Sequence, residues 1–164
     1  MYSYKQTASP LGELTLVARG KGLAAILWQN DDPKRVRLGS SVENPRHPVL
    51  LETERQLADY FVGTRSAFDV VLDPVGTDFQ KDVWTALLTI PFGETRSYAQ
   101  IARQIGRPAA FRAVGAANGR NPLSIIIPCH RAIGSNGALT GFAGGLDAKR
   151  FLLTLESRQQ KLAA

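Results

Sequence analysis

The 164-residue chain predicts an α+β protein in two parts: a small antiparallel-sheet domain over residues 1–76, then a winged helix-turn-helix domain over residues 77–164. Short apolar stretches broken by turn residues fill the beginning of the chain, which is how a meander reads. Helical spacing takes over after Thr77. A tight Gly106-Arg107-Pro108 turn then joins two short helices, the pattern of a helix-turn-helix.

Residues 2–8 and 13–19 read as strands around the turn Ser9-Pro10-Leu11-Gly12, and Gly20-Lys21-Gly22 introduces a third strand over 23–28. Residues 29–48 are polar, with Asp32-Pro33 and Asn44-Pro45, and read as a loop. Between 49 and 61, Leu50, Leu51, Leu57, Ala58 and Phe61 recur at helical spacing, and Gly63 is a stop signal. An extended piece over 68–72 leads through Asp73-Pro74-Val75-Gly76 into the second part.

Thr77 or Asp78 can cap a helix that carries Phe79, Val83, Trp84, Leu87 and Leu88 on one side, ended by Pro91-Phe92-Gly93. Helices over 97–105 and 109–118 follow, the second ending at Gly119. The apolar run Ile125-Ile126-Ile127 predicts a buried strand over 124–127. A second strand over 131–133, with the turn Ser135-Asn136-Gly137, predicts a wing. The last helix of the pair is bare: Ala109, Ala110, Ala113, Gly115, Ala116 and Ala117 leave Arg112 and Arg120 as its cations. A major-groove reader needs several long polar side chains to reach base edges. This helix suits close contact with the shape and backbone of DNA, although packing against another helix also uses alanine.

Composition narrows the class further. One cysteine permits no internal disulfide and fits a reducing cytoplasm; no segment approaches the ~20 apolar residues of a membrane span, and Met1-Tyr2-Ser3-Tyr4-Lys5 lacks a secretion-signal core. One Cys and two His do not make a structural zinc site, so no metal is expected. A net charge of +6 suits a polyanionic partner such as nucleic acid.

The chemistry concentrates in Pro128-Cys129-His130-Arg131. A lone cysteine is more often packed than reactive. Here a proline restrains the preceding residue, a basic pair follows, and positive potential favours a thiolate. Gly134, Gly137, Gly141, Gly144 and Gly145 then let the chain fold closely around a ligand.

Ile127-Pro128-Cys129-His130-Arg131, preceded by Arg112-Ala113-Val114-Gly115-Ala116-Ala117-Asn118 and Asn121-Pro122, resembles the O6-alkylguanine-DNA alkyltransferase family. Phe79-Gln80, Val83-Trp84, Ile90-Pro91-Phe92-Gly93-Glu94-Thr95, Ser97-Tyr98, Thr140-Gly141-Phe142-Ala143-Gly144-Gly145 and Leu152-Leu153 with Glu156 extend the likeness over nearly all of the second part. In the first part Ser9-Pro10-Leu11-Gly12 is the best point of likeness. The resemblance implies that the N-terminal domain is RNase H-like. It also implies a single-turnover transfer of an alkyl group from O6 of guanine, less readily O4 of thymine, in duplex DNA to Cys129, without a cofactor.

It further implies His130 as base, reached through a bridging water, with Glu156 fixing its tautomer. Tyr98 would protonate the leaving purine, and Asn121 would hold the turn before the active segment. Arg112 would fill the gap left by a flipped nucleotide, with Ala113, Gly115, Arg120, Ser97 and Thr95 on the DNA side. Pro128, Phe142, Ala143 and Gly144 would line the base pocket; Phe142 and Ala143 stand where relatives often carry Tyr and a small polar residue. A monomer is expected in solution, with cooperative assembly on DNA an open alternative. The rival readings are a lesion sensor that transfers nothing, a cysteine hydrolase using Cys129 with His130 or His47 and Asn121, and a plain winged-helix regulator.

Overall fold

A computed structural model describes residues 1–163, and the chain divides into two compact units, Met1–Val75 and the remainder from Gly76. In the first unit, β1 (Tyr2–Thr7), β2 (Leu14–Arg19) and β3 (Gly22–Leu27) form an antiparallel meander in the order β3-β2-β1. Ser9 makes the first turn: its hydroxyl donates to Gly12 O at 2.6 Å and accepts from Leu11 N. Leu16, Val17, Ala25 and Ile26 on the inner strands are buried, and α1 (Pro48–Phe61) covers them with Leu50, Leu57 and Tyr60.

α1 starts where the chain allows it to. Pro48 sits at the first turn, where its missing N–H costs nothing, and His47 Nδ1 accepts from Val49 N at 3.2 Å as the N-cap. His47 is therefore a helix cap, which leaves the hydrolase alternative without its second histidine.

The loop expected over 29–48 contains a short strand, β4 (Ser41–Glu43), which adds parallel to β1 at the sheet edge. All three of its residues are exposed, so it has no apolar alternation to announce it. The piece over 68–72 makes one parallel bridge, Leu23 to Leu72.

In the second unit, α2 (Asp78–Leu88) opens with a capping box: Thr77 accepts from Gln80 N while the Gln80 side chain accepts from Thr77 N. Val83, Trp84 and Leu87 of α2 are buried, and the Trp84 indole donates to Ala117 O at 2.9 Å. β5 (Arg96–Ser97) precedes α3 (Tyr98–Gln104), whose N-cap is Ser97. A Schellman turn closes α3: Arg107 N bonds Ala102 O, Gly106 N bonds Arg103 O, and Gly106 has φ +77°. A single 3₁₀ turn, Pro108–Ala110, then leads into α4 (Phe111–Gly119), completing the helix-turn-helix.

The strand expected over 124–127 is a tight turn. Prolines at 122 and 128 flank the segment and remove ladder donors, and Ile127 N folds back to Leu123 O at 2.9 Å. Ile125 lies in the left-handed region, φ +77°, costly for a β-branched residue. The expected wing is likewise reduced. β6 (Ala132–Ile133) pairs parallel with β5 rather than forming a hairpin, and residues 134–138 close as a turn with Gly134 N on Ala138 O. α5 (Leu146–Ala163) completes the unit, and among the described residues no helix is long and apolar enough to cross a membrane.

Candidate functional site

Cys129, His130 and Arg131 form a 3₁₀ turn, with Arg131 N bonded to Pro128 O at 2.9 Å. The cysteine is thus held by a turn, not at the end of a strand. Asn121 makes that geometry. Its side-chain amide donates to Ile127 O at 2.8 Å and its carbonyl accepts from Leu123 N at 2.9 Å, with the residue fully buried. One side chain therefore closes the loop between the end of α4 and the active segment, where backbone groups have no ladder to join.

α5 brings Glu156 to the same turn. His130 Nε2 lies 2.7 Å from Glu156 Oε2, and both residues are fully buried. The Arg131 guanidinium donates from Nε to Glu156 Oε1 at 2.8 Å, from Nη2 to Oε2 at 3.0 Å, and from Nη1 to Ile90 O at 2.7 Å. Arg131 also lies over the Phe92 ring, 5.7 Å from its centroid. The basic neighbour that the sequence offers to the thiol is thus committed to the glutamate.

These contacts decide the charges. Burial raises the Glu156 carboxyl, but hydrogen bonds and charges from His130 and Arg131 outweigh it and hold the group at about 2. Burial pushes the His130 imidazole below its ordinary value; Glu156 opposes the shift, and Arg131 and Lys149 add to it. The site thus holds an ionised carboxylate against a neutral imidazole. Glu156 can only accept, so His130 donates from Nε2 and carries its lone pair on Nδ1. Nδ1 is buried and has no hydrogen-bond partner within the protein.

Lys149 is a second buried cation. It is fully buried on α5, and its ammonium donates to Ala132 O at 2.6 Å and Thr140 O at 3.2 Å. Burial lowers its pKa, and the charge of Cys129 pulls in the opposite direction. Lys149 therefore ties β6 to the glycine-rich loop and places positive charge near the sulfur. Sequence reasoning missed Lys149 and assigned Arg131 a different partner. A lysine in a helical run such as Asp147-Ala148-Lys149-Arg150 reads as solvated, and nothing local distinguishes it.

The other expected residues fall into two groups. Pro128 is buried beside Cys129, while Phe142, Ala143 and Gly144 are half-buried in the loop before α5. The Tyr98 hydroxyl meets Thr140 Oγ1 of this loop at 2.8 Å. Thr95 and Ser97 line a groove of about 430 Å³ with Gln100, Arg103 and the turn at Gly134 and Ser135. The Ser97 hydroxyl accepts from Gln100 N at 3.1 Å. Arg112 and Ala113 are exposed on α4, Arg120 is exposed at its C-cap, and Gly115 is half-buried. A Cβ at Gly115 or Gly119 would meet nothing within 4 Å, so packing inside the chain does not demand glycine there.

Fold and site together define a class: a helix-turn-helix protein that carries, beyond the loop that follows its second helix, a buried cysteine in one turn with a histidine locked by glutamate. Comparisons with known proteins give the family. Residues 78–158 match the family described as 6-O-methylguanine DNA methyltransferase, DNA binding domain, and residues 2–74 match the ribonuclease-like domain of the same methyltransferase. The methylated-DNA–protein-cysteine methyltransferase of Methanosarcina acetivorans is 52% identical over 148 residues, covering 90% of this chain and 94% of the relative. That of Mycobacterium tuberculosis is 51% identical over 158 residues, covering 95% and 93%. A crystal structure of the M. tuberculosis protein in complex with DNA superposes with a TM-score of 0.88 at 48% identity, covering 96% of this chain and 94% of the other. The chain belongs to the 6-O-methylguanine DNA methyltransferase family.

Proposed function

We propose that this protein repairs alkylated duplex DNA by direct reversal, moving a methyl or larger alkyl group from O6 of guanine, and less readily from O4 of thymine, to Cys129. The observation that carries the reading is the state of His130. Its Nε2 is committed to Glu156, and its Nδ1 lone pair is buried and unpaired in the protein, in the same turn as the only cysteine. Such a nitrogen is fitted to take a thiol proton, directly or through one water.

In this reading the proton leaves Cys129 for His130, and Glu156 stabilises the resulting imidazolium. Lys149 adds positive charge that favours the thiolate. Sulfur attacks the saturated carbon on O6, the carbon–oxygen bond breaks, and its electron pair passes to the purine. Tyr98 donates a proton to that purine, and the proton that His130 took from Cys129 returns to the tyrosine, which leaves the imidazole neutral again. The products are guanine and an S-alkylcysteine. A thioether offers no easy route back, so each molecule reacts once.

DNA reaches the site through the helix-turn-helix. A pocketed cysteine cannot meet O6 inside an intact stack, so the nucleotide must be flipped out. Arg112, exposed on the bare face of α4, fills the gap, while Ala113 and Gly115 allow close approach. Thr95, Ser97 and Arg120 contact the backbone, and Pro128, Phe142, Ala143 and Gly144 enclose the base. The division into two domains at residue 76 confines all of these residues to the second. The protein acts as a monomer and in the cytoplasm.

The test compares the wild type with Cys129→Ala on a duplex bearing radiolabelled O6-methylguanine. The wild type is expected to acquire one label per chain, while the variant binds DNA and acquires none. Label on both proteins, or on neither, contradicts the reading.

A further inference from the structure

Between residues 109 and 119 the exposed side chains are Ala109, Phe111, Arg112, Ala113 and Ala116. Phe111 and Arg112 are thus the two that project from an otherwise flat surface. Phe111, the first residue of α4, leaves 45% of its surface in solvent. The Arg112 guanidinium lies over its ring, 5.8 Å from the centroid, within cation–π range. Helix formation does not call for the ring: alanine is the better helix former, and α4 starts without a side-chain cap. Exposed cations at Arg103, Arg107 and Arg120 make the surroundings of this aromatic suit a polyanion.

We propose that Phe111 is a second member of the device that parts the duplex. Its ring braces the Arg112 guanidinium and stacks on the base step opened when the target nucleotide leaves the helix. Minor-groove proteins commonly use an apolar wedge in this way, and base–aromatic stacking tolerates any sequence because every base has a π-face. A paired ring and guanidinium offer both stacking surface and charge to the opened step. The inference rests on the DNA-repair reading above.

The experiment measures second-order rates of cysteine alkylation, by intact mass, for the full chain with two substrates. One is a duplex containing O6-methylguanine; the other is free O6-benzylguanine, which has no duplex to part. In Phe111→Ala the ratio of duplex rate to free-base rate is expected to fall roughly tenfold, as loss of one base–aromatic stack implies. In Phe111→Tyr, which keeps the ring, the ratio stays within about twofold of wild type on the same reasoning. An unmoved ratio in Phe111→Ala, or an equal fall in Phe111→Tyr, overturns the assignment. When either of those results comes with a wild type that reacts with both substrates, only the role of Phe111 is lost. If it reacts with neither, the repair reading fails and this inference fails with it.

Discussion

Glu156→Gln removes the charge that holds the site together. The carboxylate accepts from His130 Nε2 and from two nitrogens of the Arg131 guanidinium, with all three side chains buried. Deleting one partner of a buried ion pair costs about 3–5 kcal/mol because the other charge stays behind. Glutamine keeps one oxygen acceptor for Arg131, which recovers about 1 kcal/mol. The net loss is about 3 kcal/mol. With a urea slope near 2 kcal/mol/M, the midpoint falls by about 1.5 M.

The amide nitrogen brings a second effect. Placed toward His130, it donates to Nε2, which moves the imidazole proton to Nδ1 and blocks the acceptor. Loss of a positioned base is worth about a hundredfold or more in rate. The two tryptophans lie one in each unit, Trp28 and Trp84. Trp84 fluorescence in a Trp28→Phe background therefore follows unfolding of the second unit alone. A midpoint shift below about 0.3 M, on the slope used above, or an alkylation rate equal to wild type, refutes the reasoning.

Other outcomes follow from the same contacts. His130 and Glu156 both titrate below their ordinary values in the folded protein, so the native state binds fewer protons and stability is lost as the pH is lowered. The His130 contribution is complete above about pH 6.5 and is lost below it, and the Glu156 contribution is lost from about 4.5 down to about 2; urea midpoints at several pH values check this. The half-point of the alkylation rate should lie below pH 6.5, since burial lowers the His130 pKa from that ordinary value; a half-point at or above 6.5 counts against a neutral base. Asn121→Ala strands Ile127 O and Leu123 N in the interior and should cost about 2–4 kcal/mol in urea unfolding. Arg112→Ala should lower the ratio of duplex rate to free-base rate; an equal loss with both substrates excludes a role in base extrusion.

Much of this was legible in the sequence where local signals and tertiary structure agree. Thr77 or Asp78 reads as the cap of α2, and Thr77 takes the position, with Gln80 completing a capping box. Gly106 before Arg107-Pro108 announces the sharp end of α3, and a left-handed glycine sits there. The Ile125-Ile126-Ile127 run misleads because three apolar β-branched residues favour a strand, yet flanking prolines and the Asn121 side chain fold them into a turn. β4 was hidden by its exposure: an edge strand with no buried face has no alternation to read. Cys129, His130 and Glu156 stood out through motif and resemblance. The positions of Arg131 and Lys149 were not legible, since whether a cation is buried depends on what α5 and the 3₁₀ turn bring to it. Phe111 was hidden among alanines, and only its exposure and its contact with Arg112 distinguish it.

The central claim is that Cys129 accepts the alkyl group and keeps it. Peptide mass spectrometry after incubation with an O6-methylguanine duplex tests this most directly. The Cys129 peptide should carry one methyl group in every reacted chain, with guanine restored in the DNA and no second turnover. An unmodified Cys129 peptide from a protein that still binds the lesion would contradict the account and make the protein a sensor.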